Sequence, residues 1–378
     1  MRAAPHGKVH TGSAARIDPL AGGGYPAAPS RAAARDAAHD SVRPPSRMPA
    51  AGALVISLDF ELHWGMRDHV RTDGPYRRNF LGVREVVPRL LALFEEFGVG
   101  ATWATVGMLF ARSREELQRF SPTRRARYAD PRLDPYGEPV GDGEADDPFH
   151  YAPSLVARIR EAPRQELATH TFSHYYCREP GQDAAAFAAD LASAVAIAET
   201  WGVPLRSIVF PRNQHEPAYD GALRAAGIRC YRGTQAAWMH RATRAGETTA
   251  AVRAARYADA FVPLSGPCTT RWDALVQSSG LVDVPASFFL RPATGDWRDE
   301  LQHRRIHGAM RHAARTGAIC HLWWHPHNFG ADVDANVAAL RRLLERWREL
   351  RDATGMESLG MAEVAERALR AAGAGRAA

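Results

Sequence analysis

Short apolar runs alternate with amphipathic stretches along most of the 378-residue chain. Ala53–Asp59 (ALVISLD) reads as a buried strand, and Arg84–Phe97 as an amphipathic helix with Pro88 in its early turns. Gly100–Val106 and Glu166–Thr169 are further strands, and an Ala-rich helix spans Asp183–Trp201. Ser207–Phe210 and Ile228–Tyr231 flank a helix near Ala218–Ala226, with Gly227 as its C-cap. Leu281–Val284 and Ala318–Trp323 complete the strand set. Helices are expected around Trp297–Arg315, Val333–Arg351 and Met361–Ala371. Strand and helix alternation of this kind predicts a parallel sheet, and about seven strands in one run predict a single (β/α) barrel-like domain over 51–372. Residues 111–152, with several prolines and an acidic patch at Asp142–Asp147, read as a long insertion.

Residues 1–50 break this pattern. They are rich in Ala, Gly, Pro and Arg without periodicity, which predicts a disordered tail, and Met48 offers an alternative start of translation. Seven cations against three anions put +4 of the net charge of +6 in this tail. The remaining body is therefore near neutral, which argues against a nucleic-acid-binding face. No apolar run reaches 18 residues, so no membrane span is expected. The N-terminus lacks the apolar core of a secretory signal, and the four cysteines form no CxxC pair; both fit a cytoplasmic protein.

In parallel α/β folds, chemistry collects at the C-terminal ends of strands. The first strand ends in Asp59-Phe60-Glu61-Leu62-His63-Trp64-Gly65, and alternation places Asp59, Glu61 and His63 on one face. Buried carboxylates there need a partner, a hydrogen bond or a metal. Of four HxxxH pairs, His6/His10 lies in the tail and His303/His307 in an Arg-flanked helix. His170/His174 follows a strand, and His321/His325 lies at the end of the last strand. A third polar strand end is Phe210-Pro211-Arg212-Asn213-Gln214. A carboxylate and two imidazoles make an open three-ligand set for Zn²⁺ or another divalent ion, whose remaining position holds an acidified water. A further carboxylate can take the water's proton, and another imidazole can protonate a leaving amine. Asp59, Glu61, His170, His174 and His325 supply these parts, a kit for amide hydrolysis.

Together these segments resemble the polysaccharide deacetylase (NodB-homology) family over roughly residues 50–365. SLDFELHWG is similar to its first motif, GATWATVGMLF to the following strand and HTFSH to its two-His metal motif. FPRNQ stands in the place of its Arg-containing motif, and HLWWHPHNFG resembles its last. The resemblance implies a distorted (β/α) barrel of about seven strands, with Asp59 as base and Glu61, His170 and His174 as metal ligands. It further implies Arg212 orienting Asp59, and His325, rather than His327, as general acid. The family's first motif commonly has adjacent acids, whereas here the implied ligand Glu61 stands one residue further on. Asn213 or a backbone N–H is the candidate oxyanion contact, and Trp64, Trp324 and Asn328 are candidate sugar contacts. Asp283 either orients His325 or caps a strand end. The implied function is metal-dependent removal of N-acetyl groups from a carbohydrate through attack of a metal-bound water. Rival readings are a metal-free hydrolase of a small cyclic amide and a non-catalytic glycan-binding barrel.

Overall fold

The run ALVISLDF forms a strand whose eight residues are all buried, as expected of a central strand in a parallel sheet. This is its place in the computed structural model, which describes residues 51–241, 244 and 247–376. The expected tail, its His6/His10 pair and the start at Met48 lie outside the described residues. The strands are β1 Ala53–Phe60, β2 Ala101–Thr105, β3 Gln165–Thr169, β4 Ser207–Ile208, β5 Cys230–Tyr231, β6 Val282–Asp283, β7 Phe288–Phe289, β8 Ile319–Trp324 and β9 Glu357–Leu359. The helices are α1 Arg77–Phe97, α2 Arg114–Phe120, α3 Pro153–Glu161, α4 Ala184–Glu199, α5 Asp220–Ala225, α6 Ala250–Asp259, α7 Trp297–Thr316, α8 Val333–Thr354 and α9 Met361–Arg376.

The strands pair in parallel in the order β6-β5-β4-β3-β2-β1-β8-β7, with β9 added to the start of β1. The two outermost strands, β6 and β7, are consecutive in sequence. Five peptide units reach at most about 18 Å, so the sheet must curl until its edges approach. The linking backbone bridges the gap: Val284 N–H donates to Tyr231 O, Ala286 N–H to Gly233 O and Ser287 N–H to His321 O. A curled parallel sheet wrapped by helices is thus the observed form of the expected barrel.

Alternation along β1 divides the core. Leu54, Ile56, Leu58 and Phe60 pack outward in one apolar cluster with residues of α1 and α8. Ala53 and Val55 face inward, where Met361, Val364, Ala365 and Ala368 of α9 close one end of the barrel. Further along the same inward face come Ser57 and Asp59, so the barrel turns polar towards the C-terminal ends of its strands.

Helix α1 starts seven residues before its expected position, because Asn79 and Phe80 are buried and Asn79 Nδ2 donates to His327 O at 3.1 Å. Pro88 lies inside the helix rather than in its early turns. Gly98 ends the helix at φ 69°, the left-handed region that favours glycine. Within 111–152 the chain forms α2 and single helical turns.

Candidate active site

Strand β1 ends at Phe60, and the chain turns sharply at Leu62, φ 48°, into a single 3-10 turn, Leu62–Gly65. Glu61 caps this turn and keeps its carboxylate on the Asp59 side. His63 does not follow, which corrects the expected shared face of Asp59, Glu61 and His63. Its Nδ1 meets His150 Nε2 at 2.9 Å and its Nε2 meets Val70 O at 2.8 Å. Alternation fails there because the strand has already ended. Trp64 is buried and donates to His150 O, so it packs beneath the site instead of presenting a face to sugar.

Glu61 meets both histidines of HTFSH. Its Oε2 lies 3.2 Å from His170 Nε2 and 3.0 Å from His174 Nε2, and all three residues are buried. The turn that presents the histidines has Thr171 at φ 65° and His174 at φ 56°, conformations that cost L-residues energy unless held from outside. Asp190 of α4 supplies that hold. Its carboxylate accepts from Phe172 N–H at 2.7 Å, from Ser173 N–H at 3.2 Å and from the Ser173 hydroxyl.

His170 Nδ1 is 2.8 Å from Val209 O. A carbonyl accepts only, so Nδ1 donates and Nε2 is the nitrogen turned to the Glu61 carboxylate. With Nδ1 so held, Nε2 is the atom His170 can offer a cation. Burial also lowers the His174 pKa to about 4 despite its bond to Glu61, which leaves that imidazole neutral. The donor set of Glu61, His170 and His174, with its ligand atoms within 4.8 Å of one another, therefore fits a divalent cation.

Asp59 lies alongside, and its partner corrects the expectation for Arg212. Arg232, just past β5, forms a bidentate pair with Asp59 at 2.6 and 2.8 Å. Arg232 also donates to Ser57 Oγ and Asn213 Oδ1, and its guanidinium lies 4.2 Å from the centroid of the Trp323 ring. Burial pushes the Asp59 carboxyl up, but the Arg232 charge, helped by His170 and His325, holds it below its ordinary 3.8. Arg212 instead pairs with Asp68 and Glu179 and covers Tyr176.

His325 completes the group. Its Nε2 is 3.5 Å from Glu61 Oε1 and 3.8 Å from Asp59 Oδ2. Asn328 accepts from Tyr76 O–H through Oδ1 at 2.8 Å, which turns its Nδ2 towards His325 Nδ1 at 3.4 Å. The contact leaves His325 Nε2 facing the carboxylates. Asn328 thus orients His325. At 22% side-chain exposure, against 5% and 4% for Asp59 and Glu61, His325 is the member that solvent reaches. His327 stacks against it, 5.0 Å between centroids, but is fully buried, and burial lowers its pKa to about 3.

Two other expectations change. Trp324 is buried, stacked on Phe329 and packed edge-on against Phe94 of α1. It shares the outward face of β8 with Leu322, whereas His321, Trp323 and His325 alternate inward, so Trp323 is the indole beside the site. Asp283 touches Gly233 and Tyr231 rather than His325, and burial raises its pKa to about 7. His321 lies deeper, bonded to Val284 O and Ser57 Oγ.

Sequence reasoning missed Arg232, Trp323, Asp190 and Gly65. Arg232 and Trp323 obey the strand-end and alternation rules used for the other residues. A Cβ on Gly65 would lie only 2.0–2.4 Å from the Glu61 carboxyl atoms, and nothing in the local pattern signals that approach.

Residues 73–231 match the family model described as polysaccharide deacetylase. This span includes His170, His174 and Arg212 but not Asp59, Glu61, Arg232 or His325. A Mycobacterium smegmatis structure assigned as a polysaccharide deacetylase is similar at 16% identity and TM-score 0.54, covering 86% of this chain and 93% of that one. A Pseudomonas aeruginosa PAO1 structure assigned as a polysaccharide deacetylase matches at 13% identity and TM-score 0.48, covering 83% and 89%. PuuE allantoinase matches at 12% and 0.48, covering 85% and 91%. No curated protein matches the sequence. At such identities the first structure supports the fold, and residues 73–231 are similar to the polysaccharide deacetylase family model.

Proposed function

We propose that the protein removes N-acetyl groups from a carbohydrate, with a divalent cation held by Glu61, His170 and His174. The observation that carries this reading is the convergence of His170 Nε2 and His174 Nε2 on Glu61 Oε2 at 3.2 and 3.0 Å, next to the Asp59–Arg232 ion pair and His325. A cation such as Zn²⁺ supplies Lewis acidity to the amide carbonyl and the attacking water. Asp59, kept ionised by Arg232, takes the proton as the water O–H bond breaks. His325, as the imidazolium, then gives its Nε2 proton to the nitrogen as the C–N bond breaks, releasing acetate and an amine and leaving a neutral imidazole. Arg232 holds Asp59 in one orientation, and Asn328 holds His325.

Purified protein loaded with Zn²⁺ is expected to release acetate from N-acetylated oligosaccharides, to lose this activity with a chelator and to regain it when Zn²⁺ returns. Acetate release indifferent to chelation would overturn the role of the cation. Absence of release across N-acetylated sugars would overturn the substrate class.

A further inference from the structure

Beyond Trp323 the barrel mouth opens into a cavity of about 460 Å³. Its wall is shared with the reacting groups. Phe289 and Trp323 both line the cavity, and their ring centroids lie 5.9 and 5.6 Å from that of His325.

The lining is cationic. Arg241, Arg244, Arg256 and Arg291 contribute to it, together with Arg212 and Asn213. Asp259 is the acidic lining residue, and Arg305 and His240 already hold its carboxylate at 2.9 and 3.0 Å. Arg212 is neutralised by Asp68 and Glu179. Among the described residues no carboxylate pairs with the other four arginines. Arg256 donates to the carbonyls of Met239 and Arg241. Arg291 rests on Tyr257, 5.2 Å from the ring centroid, and its Nε is buried without a hydrogen-bond partner. Arg256 and Arg291 are partly buried without counter-charge, which is costly, whereas Arg241 and Arg244 are exposed; an anion entering the cavity offsets that cost.

We propose that this cavity is a subsite for a phosphate group carried by the substrate, so that the N-acyl sugar is a phosphorylated or phosphodiester-linked one. The proposal rests on the N-deacetylase reading of the adjoining site. Phosphate fits better than carboxylate because its higher charge and its several oxygens suit more than one guanidinium fork. The phosphate has two possible sources, a nucleotide or a lipid carrier. Trp238, Tyr257, Val262 and Leu264 are 46–58% exposed in the segment around the cavity, surface that a lipid chain would cover.

Calorimetry on the full chain with N-acetylglucosamine 1-phosphate and with unphosphorylated N-acetylglucosamine tests this without requiring turnover. The phosphorylated sugar is expected to bind about tenfold tighter or better. That preference should largely vanish in Arg291→Gln and shrink as NaCl rises from about 0.05 to 0.5 M. It should persist in Arg341→Gln, which removes an exposed charge paired elsewhere with Glu96. Arg291→Gln breaks no ion pair among the described residues, so its melting temperature should stay near that of the wild type. Equal affinity for the two sugars, or a preference indifferent to Arg291 and salt, overturns the subsite. Acetate release from neutral sugars without phosphate preference overturns the subsite alone, whereas phosphate preference without any acetate release overturns only the deacetylase reading. UDP-N-acetylglucosamine and a polyprenyl-phosphate-linked N-acetylglucosamine in detergent micelles form the second arm. Tighter binding of either, relative to the neutral sugar, supports the subsite and identifies the carrier; tighter binding of neither overturns it.

Discussion

Gly65 gives the sharpest single-atom handle on the cation site. An alanine Cβ there would sit 2.0 Å from Glu61 Cδ and 2.2 and 2.4 Å from its two oxygens. Ordinary carbon contacts begin near 3.4 Å, so the carboxylate must withdraw by about 1.4 Å. Metal–ligand distances are held within about 0.2 Å, and a displacement several times larger takes Glu61 out of the ligand set. Even outer-shell changes cost about ten- to a hundredfold in metal affinity, so Gly65→Ala is expected to lower Zn²⁺ affinity by about a hundredfold or more, near 2.7 kcal/mol. Gly65 is not among the positive-φ residues, so alanine can adopt its backbone conformation. Competition with a chromophoric chelator measures the affinity, and circular dichroism checks the fold. A folded Gly65→Ala protein that binds Zn²⁺ within threefold of the wild type would refute the reasoning.

Three further outcomes follow from the same geometry. Arg232→Gln leaves Asp59 buried without its guanidinium, which should cost about 3–5 kcal/mol in denaturant unfolding; Arg212→Gln, whose ion pairs are partly exposed, should cost clearly less, and equal losses would contradict the assignment of Arg232. The Asp59 pKa is lower in the folded protein than its ordinary 3.8, so the stability it contributes is complete above that value and is lost as pH falls below it. In Arg232→Gln the main charge that opposes burial is gone, so acid unfolding should begin at higher pH, as a pH series of unfolding curves will show. Asp190→Ala frees the Phe172–Ser173 backbone, and Zn²⁺ affinity measured by competition should fall about ten- to a hundredfold while the protein stays folded; unchanged affinity would mean that the strained turn holds itself.

The central strands and the metal-ligand set were legible because both follow local rules. β1, β2 and β8 are apolar runs of five to eight residues; Glu61 and His170 directly follow strands, and His174 shares the turn after β3. Phe288–Phe289 pairs with β8 only because the sheet curls, and a two-residue strand has no periodicity to read. Arg212 and Arg232 look alike in sequence, since each stands just beyond a short strand. The chain at 212–213 turns through φ 55° and 53°, which directs Arg212 to Asp68 and leaves Asp59 to Arg232. With the tryptophans the phase was available: residues 321, 323 and 325 share one face of β8, which excludes Trp324. His63 fell to the opposite error, because alternation was extended past the end of its strand.

The most direct test of the assigned chemistry is acetate release from an N-acetylated oligosaccharide by wild-type and Asp59→Asn protein at matched Zn²⁺ occupancy. With Asp59 as the proton acceptor, the variant should bind Zn²⁺ as the wild type does and lose about a hundredfold or more in kcat. Wild-type kcat in a folded, zinc-loaded Asp59→Asn protein would contradict it.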